Sequence, residues 1–148
     1  QMAYLVIAAN AVPADRLQPV RISITRHYNE TTIDLTNPIV AVRDRRLAFL
    51  NMDLADEQGR ILDRDVLYGL PTLKLEPGKI YYYGRIEMDY QGPKPRWRIV
   101  RDPDLFLDAC LHAQQVFLAF DVVDVNAQFA GDDPLPQCDV LRYGKDEL

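Results

Sequence analysis

Few side chains in this sequence have the type and spacing of a nucleophile with its base. Ser23 is the only serine, and the alternation of Val20, Ile22 and Ile24 with polar residues predicts a strand on which Ser23 and His27 share a face. Four residues of strand separate these two by about 13 Å, at about 3.3 Å per residue. A nucleophile and its base must lie about 3 Å apart. We therefore predict no serine-based catalysis.

The two cysteines favour a structural role. Cys110 and His112 lie two residues apart in a predicted helix, so their side chains point in different directions and do not form a Cys–His nucleophile. The usual zinc-ligand spacings are missing, and we predict neither a metal nor a cofactor. We predict a disulfide between Cys110 and Cys138, contributing about 3 kcal/mol. Two free cysteines are the alternative.

Acidic residues supply the one candidate for general acid–base catalysis. Glu87 and Asp89 are predicted to share a strand face about 6.6 Å apart along the backbone, which is compatible with a glycosidase pair. A solvated strand face is the commoner explanation of such a pair. Asp132, Asp133 and Asp139 lack the spacing of a calcium-binding loop and are interpreted as a solvated loop.

The clearest local pattern predicts a hairpin between Thr72 and Met88. The segment from Glu76 to Lys79 (EPGK) fits a type II turn, with proline at its second position and glycine at its third. Closing this turn places Leu75 opposite Ile80, Lys74 opposite Tyr81 and Leu73 opposite Tyr82. An apolar face then carries Leu73, Leu75, Ile80, Tyr82, Ile86 and Met88, and the other face carries Lys74, Tyr81, Tyr83, Arg85 and Glu87.

Four residues of that second face form the predicted binding surface: Tyr81, Tyr83, Arg85 and Lys74. Tyrosine and arginine are enriched at the energetic centres of protein interfaces. The alternative is that the tyrosines are only cross-strand partners that cover the sheet.

The remaining elements predict a mainly β domain spanning 1–148. Asp102 and Pro103 mark the start of one helix near 103–115, which ends between Gln115 and Phe120. Short alternating runs predict the other strands: Tyr4–Ala9, Val20–Thr25, Thr32–Thr36, Ile39–Val42, Ala48–Leu54, Arg96–Val100 and a strand-like run in Val116–Val125. We predict an antiparallel β-sandwich of immunoglobulin-like or transthyretin-like type, with an irregular tail at 130–148.

Charge and hydropathy exclude two classes of partner. The net charge is −5, and the basic clusters around Arg45 and Arg98 are interrupted or followed by acids, so we expect no nucleic-acid binding. No apolar stretch reaches the roughly 18 residues of a membrane span.

Two signals point to different compartments. The disulfide and the 13 arginines against 4 lysines favour the periplasm or bacterial cell envelope. A glycosylation sequon at Asn29 and the final four residues, Lys145 to Leu148, favour the endoplasmic reticulum lumen if Leu148 is the true C-terminus.

These observations predict a non-enzymatic binding or assembly module of the bacterial cell envelope. It would act on another envelope protein through a sheet face or edge, and the globular part of a lipoprotein anchored upstream of Gln1 is one form of it. The alternative is a carbohydrate-active or hydrolytic domain using Glu87 and Asp89.

Overall fold

The computed structural model describes residues 2–26, 29–43, 45–67, 69–116 and 121–126, together with Leu135 and Cys138. These residues form ten strands and one helix. The elements in chain order are β1 (Ala3–Val12), β2 (Gln18–Arg26), β3 (Asn29–Asp34), β4 (Ile39–Val42), β5 (Arg46–Ala55), β6 (Ile61–Val66), β7 (Leu73–Lys74), β8 (Lys79–Asp89), β9 (Arg96–Val100), α1 (Pro103–Val116) and β10 (Asp121–Asp124).

The strands form two five-stranded sheets that pack together, which confirms the predicted β-sandwich. The first sheet has the order β10-β8-β1-β4, and β9 pairs with β8 as well. In this sheet β8 runs parallel to both β1 and β10. The second sheet has the order β3-β2-β5-β6, with β7 also paired to β5, and all its pairs are antiparallel.

The alternating residues of the central strands fill the space between the sheets. Ile22 and Ile24 of β2 are buried, as their spacing predicts, and Met52 and Leu54 of β5 pack in the same cluster. The first sheet contributes Leu5 and Ile7 of β1, together with Tyr81, Tyr83, Ile86 and Met88 of β8.

The predicted hairpin between Thr72 and Met88 is wrong. The turn is present, since Gly78 has a φ of +84°. However, β7 pairs with β5 in the second sheet, whereas β8 lies in the first sheet between β1 and the edge formed by β9 and β10. Leu73 and Leu75 are buried, and β8 buries its own residues from the opposite sheet. The apolar pattern of each strand is satisfied by the shared core rather than by pairing across the turn.

A β-bulge in β8 explains why its predicted faces are also wrong. The register with β1 runs from Val6 opposite Tyr82 to Ile7 opposite Gly84, so Tyr83 is the extra residue. Gly84 has a φ of +106°, and a Cβ atom there would lie 3.0 Å from the carbonyl oxygen of Val100. Because the bulge shifts the alternation by one residue, Tyr81 and Tyr83 face the core before it, and Ile86 and Met88 face the core after it.

The helix covers the outer face of the first sheet. Asp102 caps it: its Oδ1 accepts the backbone N–H groups of Asp104 (3.1 Å) and Leu105 (3.2 Å). Leu105, Phe106 and Ala109 pack on Val6, Ile80 and Tyr82. Its last residue, Val116, agrees with the predicted end between Gln115 and Phe120.

Cys110 and Cys138 form a disulfide, with their Cα atoms 5.3 Å apart. This is the pairing predicted from the sequence, and Cys138 lies against the helix and the first sheet. In the described ranges, no helix has the length and hydropathy needed to span a bilayer.

Candidate binding edge

The predicted tyrosine surface does not exist as a surface. Only 6% of Tyr81 and 1% of Tyr83 are exposed, because both side chains point into the sandwich. Lys74 is exposed but lies on β7 in the other sheet, and Arg85 lies beyond the bulge. The structure therefore does not bring Tyr81, Tyr83, Arg85 and Lys74 onto one face.

Core contacts account for the two tyrosines. The hydroxyl of Tyr81 accepts the backbone N–H of Glu76 at 2.7 Å, and the ring of Tyr83 packs on Phe49 with 4.9 Å between ring centroids. Burial raises the pKa of Tyr83 above its usual range. Both residues pack in the core between the two sheets and are not exposed anchors.

Two arginines form ion pairs with the candidate catalytic carboxylate of Glu87. Its Oε1 lies 2.8 Å from Nη2 of Arg98, and its Oε2 lies 3.3 Å from Nη1 of Arg85. Its partner in the prediction, Asp89, accepts the backbone N–H of Gln91 at 2.9 Å, which is a local turn contact. Both oxygens of Glu87 are therefore engaged in contacts within the protein.

The remaining candidates for chemistry are structural or lie outside the described residues. Ser23 is buried in β2, and the thiol of Cys110 is consumed in the disulfide. His112 stacks edge-on against Tyr4, with ring centroids 4.6 Å apart. His27, Asp132, Asp133, Asp139 and the whole segment from Lys145 to Leu148 are not among the described residues. Within the described part of the chain, no group of three acidic, histidine or cysteine side chains is placed to hold a metal ion.

An open sheet edge is the most unusual surface of the described structure. Strand β6 pairs with β5 on one side, and no other described strand pairs with it. Three large apolar side chains stand exposed on this strand: Ile61 (41%), Leu62 (59%) and Val66 (49%). Exposed apolar residues that adjoin an open edge mark sites of protein association.

The hydrogen-bond pattern shows which backbone groups of β6 face outward. The N–H of Leu67 donates to the carbonyl of Leu50 at 2.8 Å, so these two form a hydrogen-bonded pair just beyond β6. Hydrogen-bonded and non-hydrogen-bonded pairs alternate along an antiparallel ladder. Arg64 and Val66 are therefore the residues whose N–H and C=O groups point away from β5. Asp63 already caps one of these groups, since its Oδ1 accepts the N–H of Arg64 at 2.8 Å.

A groove of about 650 Å³ runs beside this edge, between β6 of one sheet and β9 of the other. Strand β9 pairs only with β8 among the described strands, so it is an edge strand too. The lining residues are Arg64, Asp65, Val66, Met88, Pro95, Arg96 and Trp97. Trp97 is the only tryptophan of the chain. We call β6 together with this groove the β6 edge.

Charged side chains alternate between the two sides of β6. Arg64 lies opposite Asp53 of β5 and contacts it at 2.8 Å on the outer face. Asp65 lies opposite the buried Met52, so it faces the interior side, where it accepts a hydrogen bond from the hydroxyl of Tyr90. Burial and then the Asp65 carboxylate raise the pKa of Tyr90.

The sequence offered a weak signal for β6. The run ILDRDV lies between Gly59 and Gly69, both of which have positive φ. An edge strand does not need one continuous apolar face, so the alternation that identifies central strands is missing from it.

Comparison with known proteins found no match: no family model, no curated protein and no solved structure is similar to this chain.

Proposed function

We propose that this chain is a non-enzymatic binding or assembly module of the bacterial cell envelope that holds another envelope protein through the β6 edge. The observation that carries the proposal is the coincidence of three exposed apolar side chains with outward-facing backbone groups on β6. A partner that covers both the apolar side chains and the backbone groups would stabilise the folded monomer. The immunoglobulin-like or transthyretin-like type, the lipoprotein anchor and the periplasmic address belong to this proposal.

The disulfide supports the extracytoplasmic part of the proposal. Structural disulfides persist in oxidising compartments and are rare in the cytosol of mesophiles. The bond joins α1 to Cys138, 28 residues further along the chain. The rival function, a hydrolytic or carbohydrate-active domain, has less support because Arg85 and Arg98 already occupy Glu87.

A site-specific crosslink tests the binding function. A photo-activatable amino acid at Leu62 should capture a partner in intact cells, whereas the same group at Gln58 should not, because Gln58 lies in the exposed turn before β6. Leu62→Lys should abolish co-purification of that partner, and Gln58→Lys, which makes the same charge change, should preserve it. The melting temperature of both variants should stay near that of the wild type, since exposed substitutions change stability by about 0.5 kcal/mol or less.

Two results would contradict this function. One is equal capture from positions 62 and 58. The other is co-purification that survives Leu62→Lys but is lost on Glu87→Gln, which would direct attention to the carboxylate instead.

A further inference from the structure

We infer that the β6 edge binds an extended segment of its partner as an added antiparallel strand, and that this segment carries an apolar, a basic and an acidic residue in succession. The inference rests on the proposed binding function and names the chemistry of its partner. Strand addition to an open edge is a common mode of peptide recognition, in which main-chain bonds give affinity and side chains give specificity.

The backbone of β6 offers four hydrogen-bonding groups, two donors and two acceptors, to an added strand. Arg64 and Val66 each direct one N–H and one C=O away from β5. The N–H of Arg64 is covered only by the side chain of Asp63, which a partner can displace without unfolding anything. Leu62 is the extra residue of a bulge, since Leu54 lies opposite Asp63 and Ala55 lies opposite Ile61. Regular pairing is thereby confined to Asp63–Val66.

Charge complementarity then specifies the added strand. Antiparallel pairing puts successive partner residues opposite Val66, Asp65 and Arg64, in that order. An apolar residue suits the exposed Val66, a basic residue suits Asp65, and an acidic residue suits Arg64. A basic side chain opposite Asp65 also points to the groove side, where Trp97 offers an aromatic ring.

A second copy of this chain is a poor occupant of the same edge. Two β6 strands related by a two-fold axis pair antiparallel with the same face up, so residues of equal parity lie opposite each other. Pairing centred on Arg64 then sets the two Arg64 side chains against each other and Asp63 against Asp65. Pairing centred on either aspartate sets carboxylates against carboxylates. Pairing centred on Val66 avoids like charges but runs past the end of β6, so only Val66 finds a regular partner. Like charges directly opposite are destabilising, so β6 favours a different chain.

The other surfaces of the described structure give weaker support for a binding site. A second groove of about 370 Å³ lies between β3 and β4, but nothing in its chemistry selects an occupant. The polar cluster at the start of α1, where Arg85 contacts Asp102, is satisfied by its own members.

Trp97 provides the measurement, because its emission reports on the groove in a protein without other tryptophans. The probe is a capped, tryptophan-free hexapeptide centred on Val-Lys-Glu, and its control is the same peptide with Val-Glu-Lys at the centre. We expect Val-Lys-Glu to shift the Trp97 emission and to bind about threefold to tenfold more tightly than the control, since two favourable cross-strand pairs replace two unfavourable ones.

Backbone methylation separates strand addition from other binding modes. In the inferred register the N–H groups of the valine and the glutamate point to β6, whereas that of the lysine points away. N-methylation of the valine or the glutamate should therefore weaken binding at least about tenfold, since each removes a hydrogen bond and adds a clash. N-methylation of the lysine should leave the affinity nearly unchanged.

Equal binding of the two sequences, or equal loss from methylating any residue, would overturn the inference. So would a stable dimer in sedimentation that Leu62→Lys dissociates. If the peptides fail in these ways while Leu62 still crosslinks to a partner in cells, strand addition falls and the proposed function stands. If the crosslink fails as well, both fall.

Discussion

The outer faces of the two sheets differ in how they are made compatible with water. On the first sheet, Val6, Ile80 and Tyr82 are apolar on the outside and are fully covered by α1. On the second sheet, a row of charges crosses four of the five strands, β3, β2, β5 and β6, and no described element covers it. That row consists of Asp34, Arg21, Asp53 and Arg64, each directly opposite the next.

The difference shows that a carboxylate can be buried by neighbouring side chains alone. Asp53 is only 1% exposed, although it lies on an uncovered face. Arg21 contacts it at 3.3 Å and Arg64 at 2.8 Å, and the aliphatic stems of long basic side chains cover the surface beneath them. The first face needs a helix because apolar side chains cannot shield one another from water in this way.

Removing Tyr82 should break the covered face and give the largest effect. Its ring packs edge-on against Phe106, and its hydroxyl donates to the carbonyl of Asp102 and accepts the N–H of the same residue at 2.7 Å. We expect Tyr82→Ala to lower the free energy of unfolding by about 3–5 kcal/mol through the cavity it leaves. Urea denaturation followed by circular dichroism measures this.

The matched variant Tyr82→Phe keeps the packing and removes only the hydroxyl. It should cost about 1–2 kcal/mol, because the N–H of Asp102 loses its acceptor at the start of α1. If Tyr82→Ala lowered the free energy of unfolding no more than Tyr82→Phe does, the packing of the Tyr82 ring on α1 would contribute nothing to stability.

Breaking the charge row should lower the free energy of unfolding less than Tyr82→Ala does. Asp53→Ala removes two charge-assisted contacts, but Arg21 and Arg64 are 42% and 57% exposed and remain solvated without it. We expect a loss of about 1–2 kcal/mol, discounted for solvent screening. Measuring the difference at low and at molar salt checks the cause.

The cost of Asp53→Ala should shrink at high salt, because salt screens exposed ion pairs. A salt-independent cost as large as that of Tyr82→Ala would show that Asp53 is held by packing. In that case the contrast between the two outer faces would lose its electrostatic basis.

Sequence reasoning recovered the elements whose signals are local. Asp102 and Pro103 announced the helix through capping chemistry, and the alternation around Ile22 and Ile24 identified a central strand. The Cys110–Cys138 pairing followed from there being only two cysteines. In each case the decisive interaction lies within a few residues or has no competitor.

Pairing partners and faces could not be predicted in the same way. The turn at Gly78 looks like a hairpin, yet its flanking strands β7 and β8 enter different sheets, and no local residue encodes that choice. Because of the bulge at Tyr83, the part of β8 before it has its faces opposite to the prediction, so core tyrosines were mistaken for a binding surface. The β6 edge was missed because an edge is defined by the lack of a second neighbour among the described strands, which no local residue encodes.

Lowering the pH should have the smallest of these effects on stability, and it acts on the covered outer face. His112 lies on the covered side, against Tyr4, and burial lowers its pKa. The unfolded chain, in which the pKa of histidine is about 6.5, therefore takes up a proton before the folded chain does. Stability should consequently fall as the pH drops from 7.5 through 6.5.

His112→Gln should remove this part of the pH dependence while the variant remains folded, because glutamine carries no titrating group. The measurement is the melting temperature of both proteins between pH 7.5 and 5.5, where most carboxylates stay ionised. We expect this effect to be smaller than that of Asp53→Ala, because the ring of His112 is only partly buried. Parallel profiles for the two proteins would place the imidazole in contact with water, and the helix would then cover less of the first sheet than its packing on Val6 and Ile80 indicates.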